Sequence, residues 1–176
     1  MPSSCAPEDA PAGDVDAALM VVDSRLRAIY DGATETSEQR EMVDRILGSL
    51  REEGVEDLLD GACTLVFVYM KWLRMAYEDH GKDVIECVVP DLVAMMRNMP
   101  RSIRPEAIPT MSGLLVAAAT GLSPSLWRRQ YGAWTEAEMN ALEFTAFFLA
   151  ERINHHTGDH DFATRMVTEA LSRTED

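Results

Sequence analysis

Apolar residues recur along this chain at steps of three and four, the spacing that gathers them on one face of an α-helix. Nowhere do apolar and polar positions alternate for long at the period of a half-buried strand. The fold class read from this pattern is all-α. The first seam, Val15, Leu19, Val22, Leu26 and Ile29, follows Asp14, a good N-cap residue, and stops before Gly32. So narrow a seam predicts packing against one neighbour. A second seam of Met42, Val43, Ile46, Leu47 and Leu50 follows Thr36 and Gln39, which have capping-box spacing, and ends at Gly54. The third segment, residues 55–79, runs from Leu65 to Met70 without interruption and then carries Trp72, Leu73, Met75 and Tyr77. Apolar on nearly every side, it is expected to be the central helix.

Past Gly81 the pattern resumes, but Pro90 has no N–H and its ring collides with the carbonyl of Glu86, so the helix over 82–98 is expected to divide in two. The proline- and arginine-rich stretch that follows reads as a loop, and a helix of small residues over 111–120 comes next. In it, Gly113, Ala117 and Gly121 leave room for a close neighbour. Ser123 with Pro124 at the first position predicts a short helix; Thr135 with Glu138 predicts a capping box on a longer one that ends at Gly158. Asp159 is expected to cap a last helix carrying Phe162, Met166, Val167 and Leu171. The start and stop signals sum to an irregular bundle of about eight helices around the segment 55–79.

At 176 residues the chain suits one domain, taken as 14–176, that needs no staples to fold. Residues 1–13, rich in proline and alanine and without an apolar run, read as a disordered tail rather than a secretory signal. Cys5, Cys63 and Cys87 are odd in number and widely spaced, which points to a reducing cytoplasm. The uncharged stretch 107–127 is broken by Pro109, Gly121 and Pro124, so no membrane span is expected. The 30 acids against 16 bases give a net charge of −14, which repels phosphate backbones and argues against nucleic acid as a partner. Residues 1–60 alone hold 15 acids and five bases, a net of −10, whereas residues 61–105 hold five acids and six bases, a net of +1.

Three groups of residues could carry chemistry. Arg97, Arg101 and Arg104, with Arg128 later in the chain, could clamp the carboxylate or phosphate of an anionic small molecule, because guanidinium forks bind such groups bidentately. Trp127 and Tyr131, with Met95, Met96, Met99 and Met111, could supply the apolar body of such a pocket; ordinary core packing and internal ion pairs account for the same residues. Glu151, His155 and His160 could hold a metal ion, but Glu151 and His155 are only two donors on one helical face before Gly158 breaks the geometry. Histidines in a last helical turn also complement its dipole without any metal.

No nucleophile elbow, phosphate loop, dinucleotide fingerprint or paired-cysteine motif is present, and no cofactor is expected. The reading that follows is a non-catalytic cytoplasmic protein acting through protein contacts. A homodimer is expected because the run from Phe144 to Ile153 is apolar on more faces than one neighbour covers. Its acidic N-terminal third would suit a basic protein partner. The alternatives are a small-molecule-binding helical domain using the arginine and aromatic residues, and a metal-dependent enzyme using Glu151, His155 and His160.

Overall fold

The structure is a computed structural model and describes residues 4–31, 41, 45 and 52–174. The expected second helix lies outside the described residues. Among them there is no strand, and the all-α class holds. The elements are α1 (Val15–Tyr30), α2 (Glu52–Glu78), α3 (Val84–Cys87), α4 (Val89–Arg97), α5 (Ile108–Ala119), α6 (Pro124–Arg129), α7 (Glu136–Thr157) and α8 (Phe162–Thr174), with 3-10 turns at Pro7–Asp9 and Pro105–Ala107.

Helix α2 is the axis of the bundle. It packs on α1, α5, α6 and α7, and buries Cys63, Leu65, Val66, Tyr69, Met70 and Leu73. A helix apolar on several faces is stable in water only when several neighbours cover it, and here four do so. Helix α7 is the second apolar element: Phe147, Phe148, Leu149, Ala150 and Ile153 are all buried within the chain's own fold. The run that suggested a second copy is therefore covered by α1, α2, α5 and α8, and it supplies no argument for a dimer.

Helix α1 departs from the narrow seam its sequence suggests. Ala18, Val21 and Ala28 are buried beside Val15, Leu19, Val22 and Leu26, because α1 packs on both α2 and α7; Ile29, in the last turn, is 59% exposed. The helix starts as expected, with the Asp14 carboxylate accepting the Ala17 N–H at 3.0 Å. The division before Pro90 falls at Val88, whose N–H still bonds the Val84 carbonyl while its own carbonyl accepts the Leu92 N–H. Helix α5 starts three residues earlier than its spacing predicts, since Pro109 has the fixed φ that suits a first helical turn.

The N-terminal segment differs from the disordered tail that its composition suggests. Residues 4–13 lie as a strap across α2 and α6: Cys5 is 3% exposed, its carbonyl accepts the Ser123 N–H at 2.9 Å, and the Thr64 hydroxyl donates to the Ala12 carbonyl at 2.8 Å. Two glycines permit this. A Cβ on Gly61 would stand 2.3 Å from the Asp14 carbonyl oxygen, and a Cβ on Gly13, whose φ is +71°, would stand as close to the Gly61 nitrogen. No helix among the described residues is long and apolar enough to cross a membrane.

Candidate functional site

The arginine and aromatic residues do not form one pocket. Ser123 caps α6 by accepting the Leu126 N–H at 3.2 Å, which turns Arg128 inward. There its guanidinium meets Glu138 side by side, Nε to Oε2 at 3.0 Å and one Nη to Oε1 at 2.8 Å. The remaining bonds go to the carbonyls of Gly132 and Ala133, at 3.0 and 2.9 Å. The side chain is 3% exposed, and four of its five N–H groups are engaged. It joins the α6–α7 corner and cannot clamp a ligand.

Glu138 has a double role that its place in a capping box conceals. Its Oε1 also accepts the Thr135 N–H at 3.0 Å, while the Thr135 hydroxyl accepts the Glu138 N–H at 3.2 Å. Burial works against its charge, but the bonds from Arg128, the Thr135 backbone, and the Thr110 and Thr135 side chains outweigh burial and hold the carboxyl at about 2.

Trp127 and Tyr131 do come together, ring centroids 5.1 Å apart, and the Trp127 ring lies against Gly113 on α5. The close neighbour that Gly113 admits is thus an indole rather than a helix backbone. Tyr131 is 65% exposed. Arg97, Arg101 and Arg104 sit on the connection from α4 to α5, exposed, and no hydrogen bond, ion pair or ring contact among the described residues joins them to Trp127, Arg128 or Tyr131.

The histidine stretch is divided by the turn at Gly158, whose φ of 69° ends α7. Glu151 and His155 face one cleft of about 320 Å³, with His156, Arg152 and Tyr77 on its walls and Leu92, Met95 and Phe148 among its apolar residues. His160 is elsewhere, stacked flat on Tyr30 at 3.8 Å. No three metal-ligating side chains converge among the described residues, so the expected set Glu151, His155 and His160 does not assemble. Arg152 is held by the Tyr77 hydroxyl and by Asp91, each at 3.0 Å.

A different concavity has a largely apolar lining. Between α1, α2 and α7 runs a groove of about 300 Å³, lined among the described residues by Ala18, Val21 and Val22, by Val55, Leu58, Leu59 and Ala62, and by Met139, Leu142 and Ala146 together with the polar Asn140 and Glu143. Past Val55, Leu59 and Met139 it opens into a more polar recess with Glu56, Asp60, Arg129 and Trp134. The ionisable groups at its margin are acids or neutralised cations: Arg25 is bound to Glu143 at 2.6 Å, and Arg129 to Asp60 at 2.9 Å. Asp60 is itself buried, and also accepts the Ser125 hydroxyl at 2.5 Å. Glu56 and Asp57 are exposed next to Asp14, whose N–H bonds the Asp57 carbonyl at 2.8 Å. The groove was not legible in the sequence. Its walls belong to three separate segments, and the residues from α1 and α7 lie more than a hundred positions apart.

Comparison of the chain with protein-family models, with curated proteins and with solved structures finds no match.

Proposed function

We propose that the protein acts in the cytoplasm through contacts with another protein, and that the groove between α1, α2 and α7 receives the apolar face of a partner helix whose flanks are basic. The observation that carries this reading is the pairing of three largely apolar walls with a margin where, among the described residues, Glu56 is exposed and unpaired while the arginines are each bound to a carboxylate. An amphipathic helix laid in such a groove removes apolar area from water at roughly 25 cal/mol per Å². Its lysines or arginines would meet the acidic margin, and the net charge of −14 would speed the encounter. Catalysis is not part of the proposal, since the residues read as a metal set are separated and Arg128 is committed to Glu138.

Titration of the isotope-labelled protein with a synthetic leucine-lysine amphipathic helix tests this. Saturable shifts at Ala18, Val22, Leu59, Met139 and Ala146 are expected, weakened by Ala62→Trp, which fills the groove. A glutamate version of the same peptide that binds equally well, or shifts that never saturate, would rule the reading out.

A further inference from the structure

Across α1, α2, α6 and α7, every described arginine reaches a carboxylate, from Arg25 on Glu143 at 2.6 Å to Arg152 on Asp91 at 3.0 Å. Arg97, Arg101 and Arg104 have no such partner, and neither does Arg173 in the last turn of α8. The first three are exposed, and none of them makes an ion pair or a hydrogen bond through its side chain among the described residues. Carboxylates are not scarce in this chain, with 30 acids against 16 bases, so a general shortage of partners does not explain three neighbouring cations left open.

Their backbone is fixed. The Met99 carbonyl accepts the N–H of Ser102 at 3.0 Å and of Ile103 at 2.8 Å, closing a tight turn. Met96, Ile103 and Ala107 anchor that turn in the core at 0%, 1% and 0% exposure. Arg97 closes α4, where a cation also complements the helix dipole. Arg101 and Arg104 stand beyond the helix, and the dipole does not account for them. Pro100, exposed next to Arg101, gives the charged turn an apolar edge.

We propose that this turn is a docking surface for an acidic segment of another protein, a stretch of clustered aspartate and glutamate side chains carrying an apolar residue that seats against Pro100. Guanidinium groups pair with carboxylates through two parallel N–H bonds, and a preordered backbone reduces the entropy lost on binding. Three cations at successive points of one turn suit carboxylates spread along a peptide. At physiological ionic strength the screening length is about 8 Å, so a short segment on this turn meets the local positive charge before that of the acidic remainder. A long polyanion such as a nucleic acid would meet both. The surface is opposite in sign to the margin of the groove, and neither reading depends on the other.

The full chain, isotope-labelled, is titrated with a short synthetic peptide of glutamate, aspartate and leucine at several salt concentrations. Saturable shifts at Arg97, Arg101, Arg104 and their neighbours are expected, with an affinity that declines as salt is added. The R101E/R104E double variant should bind about tenfold more weakly or worse, while melting as the parent does, because both side chains are exposed and unpaired. No saturable shift, or equal affinity in the double variant, would overturn the proposal. So would tighter binding of an oligonucleotide or a phosphopeptide, or self-association of the parent protein that the double variant abolishes.

Discussion

Arg128 and Glu138 face each other in the interior with two parallel bonds of 3.0 and 2.8 Å, and their side chains are only 3% and 9% exposed. A pair this dry holds because the Arg128 guanidinium also bonds two carbonyls and lies over the ring of Trp134, 5.0 Å from the guanidinium carbon. Removing either partner leaves a buried charge alone. Arg128→Ala or Glu138→Ala is therefore expected to lower unfolding stability by about 3–5 kcal/mol in urea titrations. A loss below about 1 kcal/mol would show that the corner does not depend on the pair.

The same carboxylate gives a pH signature. Its folded value of about 2 lies below the ordinary 4.5, so the stability it contributes is complete above pH 4.5 and is lost as the pH falls towards 2. The contribution at neutral pH is on the order of 3 kcal/mol. Many other acids titrate in that range, so the useful measurement is the difference between the parent and Glu138→Gln. That difference in melting temperature should be widest at neutral pH and shrink between pH 4.5 and 2; a constant difference would assign the stability to packing instead.

Gly61 tests the strap. Alanine in place of a helix-interior glycine ordinarily stabilises by up to about 1 kcal/mol. Here the added Cβ would stand 2.3 Å from the Asp14 carbonyl oxygen, backbone against backbone, and the cost of overpacking, roughly 1–3 kcal/mol, wins. Gly61→Ala should lift residues 4–13 away from α2. Cys63, 1% exposed and with its thiol pushed up by burial, should then react with a thiol reagent that does not label Cys63 in the parent. Unchanged labelling rates at Cys5 and Cys63 would mean that the strap absorbs the methyl group.

What could be read along the chain was the chemistry that acts over three or four residues. The caps at Asp14, Ser123 and Thr135, the left-handed glycine at 158 and the division before Pro90 all depend on neighbours in sequence, and all stand where spacing put them. Partners across space could not be read. Glu138 was recognisable as a capping residue, but nothing in its spacing indicates that the same carboxylate receives Arg128 ten residues back. Arg25 and Glu143 are 118 positions apart. The strap is illegible for a related reason: proline and alanine content describes how little a segment can bury alone, and only the fold brings Gly13 against Gly61.

Tyr69 lies at the centre of α2 with none of its surface exposed, and its hydroxyl has no hydrogen-bond partner among the described residues. Burial raises its pKa, and the nearby Asp23 adds to that effect. A buried hydroxyl without a protein partner carries a desolvation cost that phenylalanine does not, so Tyr69→Phe is expected to leave stability unchanged or raise it by about 1 kcal/mol. Leu73→Ala, one turn further along the same helix, should cost about 2–5 kcal/mol. The contrast in urea midpoints separates polar cost from packing, and a loss above about 1 kcal/mol in Tyr69→Phe would mean the hydroxyl is satisfied in solution.

Asn154 ties three helices together without surface exposure. Its amide nitrogen donates to the Tyr30 hydroxyl at 3.1 Å and to the His160 carbonyl at 2.8 Å, and its oxygen accepts the Ala163 N–H at 2.8 Å. One side chain thus joins the end of α1, the last turns of α7 and the start of α8, with His160 stacked on the ring of Tyr30. Asn154→Ala should cost about 2–4 kcal/mol, from lost bonds and from the polar groups left unpaired. Asn154→Asp is the sharper test, since it keeps the size and the acceptor but sets a carboxylate oxygen against the His160 carbonyl, which can only accept. It should be at least as damaging as alanine at neutral pH and recover as acid protonates the new side chain, read by hydrogen exchange at Ala163. A variant that protects Ala163 as well as the parent would show that α8 docks through its apolar residues Val167 and Phe162 without this amide.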